Sequence, residues 1–204
     1  MSTITAPPTE AIRLDFESAG RLLTPGEFDA VTDYDELYRY ELIHGVLVVT
    51  PIPSEGQSDP NDELGHMLRT YRQHPQGKSL DKTMPERYVR TRESRRLADR
   101  VIWAGLGRVP DPRVDVPTIA IEFVSAGRRN WQRDYVEKRV EYAEAGVLEY
   151  WIIDRFRRTM TVYCNVPGRL GEIVVQADGI YRTPLLPGFE LPLARLLTEA
   201  DDWK

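Results

Sequence analysis

The sequence has one cysteine, Cys164, and three histidines in 204 residues. A single thiol excludes an internal disulfide framework and a cysteine-based zinc cluster. No apolar run approaches the ~18–20 residues that span a bilayer, which argues against a membrane partner. Met1–Glu10 lacks a basic start followed by an apolar stretch, so no secretory signal is expected. Together these absences point to the cytoplasm. No glycine loop is built to cradle phosphate. Ser125-Ala126-Gly127 lacks the flanking glycines of a nucleophile elbow, which argues against serine hydrolysis. There is no internal repeat and no low-complexity tract.

What is present is the composition of a globular protein, 41% hydrophobic and 29% charged. The length suits a single domain with extensions. We expect a loosely ordered leader over residues 1–23 and one domain over 24–204. The net charge of −5 weighs against nucleic acid, whose binding is dominated by phosphate neutralisation. The charge is unevenly spread, however. Arg87, Arg90, Arg92, Arg95, Arg96, Arg100, Arg108 and Arg113 are opposed within their span only by Glu93, Asp99 and Asp111, and Arg128, Arg129 and Arg133 follow. This is either a basic face on an acidic chain or an arginine-rich solvated loop.

Thr24-Pro25-Gly26-Glu27 is a helix-start signal, with Thr24 as cap and Glu27 able to bond back to it. A short helix to about Thr32 is expected. Residues 40–43 and 46–49 flank His44-Gly45 and read as a hairpin. A loop over residues 51–60 precedes a helix over 62–74, marked by Leu64, Met67, Leu68 and Tyr71. Residues 86–92 and 97–104 read as strands. Residues 118–124 form an apolar run, as in a strand buried on both faces. A helix over 131–145 stops at Gly146, and residues 149–154 form the next strand. Residues 159–164 and 171–176 pair beyond it, and the tail ends in a short helix. Strand, helix and buried strand predict a crossover onto a parallel neighbour. The hairpins predict antiparallel pairing elsewhere, so the fold class is α/β with a mixed central sheet.

Glu122 is the main anomaly, a carboxylate inside an apolar strand. Burial of such a group needs a cation, a donor or a proton. Asp99 sits similarly, on the face of Leu97 and Val101. Two carboxylates on one face repel, and a divalent cation with oxygen ligands would resolve the repulsion. Magnesium is the default, since it binds through one or two carboxylates plus water and phosphate. Lys138 shares a stripe with Asp134 and Tyr142 at i, i+4 spacing. It is either half of a surface ion pair worth ~0–1 kcal/mol, or a lysine aimed at the metal. Glu41 is a third strand-like carboxylate, more simply read as a polar hairpin residue. His44, His66 and His74 read as structural or solvated.

The run Ile121-Glu122-Phe123-Val124-Ser125, followed by Asp134, Lys138, Tyr142, Gly146-Val147, and Glu149-Tyr150-Trp151-Ile152-Ile153-Asp154, resembles the Uma-type family. Its members are described as restriction endonucleases within the PD-(D/E)XK superfamily. Tyr40-Glu41-Leu42-Ile43 with Gly45, and Leu186-Pro187-Gly188-Phe189-Glu190-Leu191, resemble its early and closing motifs. The resemblance spans residues 24–197 and implies a restriction-endonuclease-like sheet flanked by helices. It also implies Asp99 and Glu122 as metal ligands, with the Phe123 carbonyl nearby. Glu41 becomes an outer carboxylate, and Lys138 replaces the lysine usually found on the strand. The chain departs from the family at Ala98-Asp99, where Pro-Asp is favoured, and at His44-Gly45, where Asp-Gly or Asn-Gly is. The family's usual histidine falls near Pro60 or Asn61.

The implied function is a magnesium-dependent endonuclease hydrolysing DNA phosphodiesters, with manganese as a substitute ion. Cutting both strands of a duplex suits a homodimer. One alternative is a nucleic-acid-binding or regulatory protein with this fold and little turnover. Another is a structural oligomer in which Asp99, Glu122 and Lys138 form a buried ion network.

Overall fold

Thr24 caps the first helix as its sequence dictates. Its hydroxyl accepts from the Glu27 amide at 3.2 Å, and Glu27 accepts from the Thr24 amide at 2.7 Å. This computed structural model describes residues 12–203, without the side chains of Arg129 and Asn130. Residues 1–11 of the expected leader lie outside the described residues. The chain divides into two units.

The first unit comprises the described residues to Ile52, with Arg92–Ser94. Strand β1 (Arg13–Leu14) pairs in parallel with β2 (Asp33–Tyr34), and helix α1 (Pro25–Asp29) lies between them in sequence. Strands β3 (Tyr38–Ile43) and β4 (Val46–Pro51) form the expected hairpin. Its turn places His44 at φ 48° and Gly45 at φ 80°. Positive φ at both central residues is why Asn-Gly is the usual choice there, and His44 adopts it at some steric cost.

The second unit contains the large sheet. Helix α2 (Glu55–Gln73) is followed by β5 (Leu80–Arg90), β6 (Arg95–Ala104) and β7 (Ile119–Phe123). Helix α3 (Arg128–Gln132), a π turn over Arg133–Glu137 and α4 (Lys138–Ala145) lead to β8 (Glu149–Asp154). Strands β9 (Thr159–Val166), β10 (Arg169–Gln176), β11 (Ile180–Tyr181) and β12 (Leu191–Pro192) precede α5 (Leu193–Asp201). The order β5-β6-β7-β8-β9-β10 is antiparallel at every step except β7–β8, which is parallel across the helical crossover. This is the mixed α/β sheet flanked by helices that the sequence implies.

Alternation along β7 and β8 divides the core. Ile119, Ile121, Phe123, Trp151 and Ile153 join Leu64, Leu68 and Leu196 on one face. Ala120, Val124, Tyr150 and Ile152 join Tyr142 on the other. Glu122 therefore belongs to the face covered by the 128–145 helical segment. Gly146, at φ 95°, ends that segment as expected.

The starts of α2 and β5 differ most from the sequence reading. Helix α2 starts at Glu55, inside the expected loop, and contains Pro60. Its first turns are polar and carry no apolar period. Strand β5 starts at Leu80 rather than near Glu86, because its first half is held by cross-strand pairing to β6 (Leu80↔Ala104, Thr83↔Ile102) rather than by its own alternation.

Glu149, fully buried, accepts from Trp151 Nε1 at 2.9 Å, Tyr181 Oη at 3.0 Å, Thr183 Oγ1 at 2.7 Å and Arg169 at 3.2 Å. Glu149→Ala removes the acceptor common to four donors. It is expected to lower unfolding free energy by about 3–5 kcal/mol in urea titrations. A loss under about 1 kcal/mol would mean the network contributes little.

Candidate active site

The backbone ladder between β6 and β7 covers only Arg100↔Ile121, Val101↔Ala120 and Ile102↔Ile119. Continued by one step, the register sets Asp99 opposite Glu122. Side chains take over where the ladder stops. Asp99 Oδ2 accepts from the Phe123 amide at 2.8 Å, and the Asp99 carbonyl accepts from Asn61 Nδ2 at 3.0 Å. The two carboxylates thus occupy facing strand positions, an arrangement that is repulsive unless compensated.

Compensation at Glu122 comes from the helix. Lys138 Nζ donates to Glu122 Oε1 at 2.8 Å and to the Leu97 carbonyl at 2.9 Å. Tyr142 Oη donates to the same Oε1 at 2.9 Å. Glu122 and Lys138 are each 2% exposed, Asp134 is 1% and Asp99 is 6%. The Asp134–Lys138–Tyr142 stripe is therefore buried, which removes the surface-pair reading. The π turn brings this about: the Lys138 amide bonds back to the Arg133 carbonyl, five residues earlier. Such a turn adds a residue to the helix and recurs at functional sites.

Burial raises the Glu122 carboxyl pKa to about 8; Lys138 pulls it down, while Asp99 and Asp134 push it up. Burial also raises Asp134. Three carboxyl groups, Asp99, Glu122 and Asp134, face the Lys138 ammonium and the Arg133 guanidinium, which lies 3.0 Å from Asp134. The site's oxygen donors (Asp99, Glu122 and the Phe123 carbonyl) are those a hard divalent ion takes, so the residues fit magnesium. Among the described residues no three Asp, Glu, His or Cys side chains form a metal-binding group. An ion here would need water or phosphate to complete its shell.

Two residues escaped sequence reading. Gln57 Nε2 donates to the Phe123 carbonyl at 3.0 Å and to Ser125 Oγ at 2.7 Å. Asn61 holds the Asp99 backbone and also accepts from Arg100 Nε at 2.6 Å. Both lie on the early turns of α2, Gln57 within the expected loop over residues 51–60 and Asn61 between that loop and the expected helix. Glu41 is buried on β3 in the first unit, opposite Val48. Of the histidines, His66 and His74 are exposed, and His44 Nδ1 lies 3.8 Å from Glu93.

The arginine cluster does not form one basic face. Arg96 and Arg100 are fully buried. Arg96 bonds Glu141 at 2.7 Å and Glu137 at 3.2 Å. Arg100 donates to Asn61 and Thr83, and burial lowers its pKa to about 10. Arg108 is paired with Asp115 at 2.6 Å. The side chain of Arg129 lies outside the described ones.

The raised Glu122 pKa means that the folded state holds this proton more tightly than the unfolded chain. Its contribution to stability is therefore lost as pH rises from about 4.5 to about 8. Asp134→Asn removes one of the charges pushing Glu122 up. In EDTA, carbon-13 NMR of the Glu122 carboxyl is expected to titrate at lower pH in this variant. An unmoved titration would count against the electrostatic account.

No curated protein of similar sequence was found. One solved structure similar in fold is that of a putative nuclease belonging to DUF820 from Anabaena variabilis. It matches with a TM-score of 0.68 at 16% identity, covering 87% of this chain and 99% of that one. The Uma2 family model, described as "Putative restriction endonuclease", matches residues 26–194. With the mixed sheet and the polar cluster at its centre in view, the chain belongs to the Uma2 family.

Proposed function

We propose that the protein is a magnesium-dependent endonuclease acting on DNA phosphodiester bonds. The observation that carries this reading is Lys138 Nζ, 2.8 Å from Glu122 and on a helix, beside an Asp99 carboxylate at the facing strand position. Family membership supports the reaction class.

Asp99, Glu122 and the Phe123 carbonyl would hold the ion. A bound magnesium supplies Lewis acidity at the scissile phosphate and a water of lowered pKa. Lys138 would orient an attacking water and steady developing charge on phosphate oxygen. Tyr142 fixes Glu122 through Oε1. Gln57 orients the Phe123 carbonyl, and Asn61 fixes the Asp99 backbone, so both act as positioning residues.

A second reading, DNA binding without turnover, is favoured by one observation. Glu122 and Lys138 are nearly sealed, at 2% exposure each, and satisfy one another.

Plasmid cleavage with magnesium or manganese separates the two. Wild type is expected to nick or linearise DNA, and Lys138→Ala to be slower by about 10²–10³-fold. Calorimetry with manganese is expected to show binding that Glu122→Ala abolishes. No cleavage with either ion on any DNA form would leave the binding reading ahead.

A further inference from the structure

The second unit contains a cleft of about 760 Å³ bounded by the last turns of α2, the start of β5 and the Gly107–Val109 loop. Arg69, Arg72, Lys78 and Arg108 line it, together with one carboxylate among the described residues, Asp81. Asp81 is already committed to loop backbone, since Oδ2 accepts from the Leu106 amide at 2.7 Å and Oδ1 from the Gly107 amide at 2.9 Å. Arg108 is held by Asp115. The other three cations are exposed and have no ion pair among the described residues. Arg72 is anchored through Nε, which donates to the Leu80 carbonyl at 3.0 Å. On a chain of net charge −5, four cations thus line one cleft against the carboxylate of Asp81, and among the described residues Arg108 alone of them has an ion pair.

We propose that this cleft is a docking site, separate from the catalytic centre, for the phosphates of a nucleic-acid backbone. The inference rests on the DNA-directed reading above. The chemistry of the walls selects the ligand. Guanidinium and ammonium groups match phosphate oxygens. Among the described residues no aromatic side chain lines the cleft to stack a base. The site therefore grips backbone without reading sequence. Arg69 and Arg72 lie 12 and 15 residues beyond Gln57 on one helix, about 18 and 22 Å along its axis. A strand engaged at the catalytic centre spans that distance in roughly six nucleotides at ~3.4 Å each. The cleft would thus hold flanking DNA rather than the scissile bond.

The test is fluorescence anisotropy with a 30-bp duplex in EDTA, across 50–200 mM salt, using the full chain. The variants are Arg69→Ala/Arg72→Ala/Lys78→Ala and, as a milder change, Lys78→Glu. Circular dichroism checks folding. The triple variant is expected to bind at least about tenfold more weakly at 50 mM salt. The slope of log K against log[salt] should fall in magnitude by about 0.9 for each lost phosphate contact. Lys78→Glu should move both quantities the same way by less. Unchanged affinity and slope in a folded triple variant would overturn the proposal, as would absence of DNA binding by wild type. Micromolar binding of tripolyphosphate that the duplex does not displace would also overturn it, in favour of a small anion. Plasmid cleavage keeps the two readings apart. A wild type that does not cleave, but whose DNA affinity drops in the triple variant, loses the nuclease reading and keeps the cleft. A triple variant that cleaves and binds like wild type does the reverse.

Discussion

A carboxylate buried in the middle of an apolar strand constrains everything around it. Desolvation of an ion this deep costs several kcal/mol unless donors replace the lost water. At Glu122 the donors come from another element, Lys138 and Tyr142 on α4. They reach it only because the 128–145 helical segment is phased to bury one polar stripe. The β6–β7 ladder must also stop short, so that Asp99 takes the Phe123 amide. Asn61 and Arg100 tie that ladder end to α2. Strand register, helix phase and the first turns of α2 are all fixed by one group of polar side chains.

The sheet's parallel step was legible because residues 118–124 and 149–154 are continuous apolar runs around a helix that ends at a glycine. Glu122 was legible as an oddity for the same reason. The rule does not discriminate, however. Glu149 and Asp154 also lie in a buried strand, and they are satisfied differently. Glu149 takes Trp, Tyr, Thr and Arg donors, and Asp154 caps the amides of Phe156 and Arg157. Spacing cannot tell a saturated carboxylate from one facing another carboxylate, since that depends on partners distant in sequence. Gln57 and Asn61 were illegible because the turns bearing them have no apolar period.

The arginines show the same limit from another side. Their density in sequence left a basic face and a solvated loop both open, but Arg96 and Arg100 are buried, Arg96 against Glu141 of α4 and Arg100 against Asn61 of α2. The exposed cations that do converge, Arg69, Arg72 and Lys78, are spread over a helix end and the turn after it. A chain can be acidic on average and still concentrate positive potential in one place.

The π turn over Arg133–Glu137 acts as a phase shift. It places one surplus residue in the crossover, and every side chain beyond it is rotated by about 100° from where an unbroken α-helix would put it. Removing a single residue there would leave composition, polarity pattern and helix length almost untouched. It would nonetheless turn Lys138 and Tyr142 away from Glu122 together. The site is thus keyed to a count of residues as well as to their identity, so a relative with the same acidic and basic residues but one fewer in this turn would not build the same cluster.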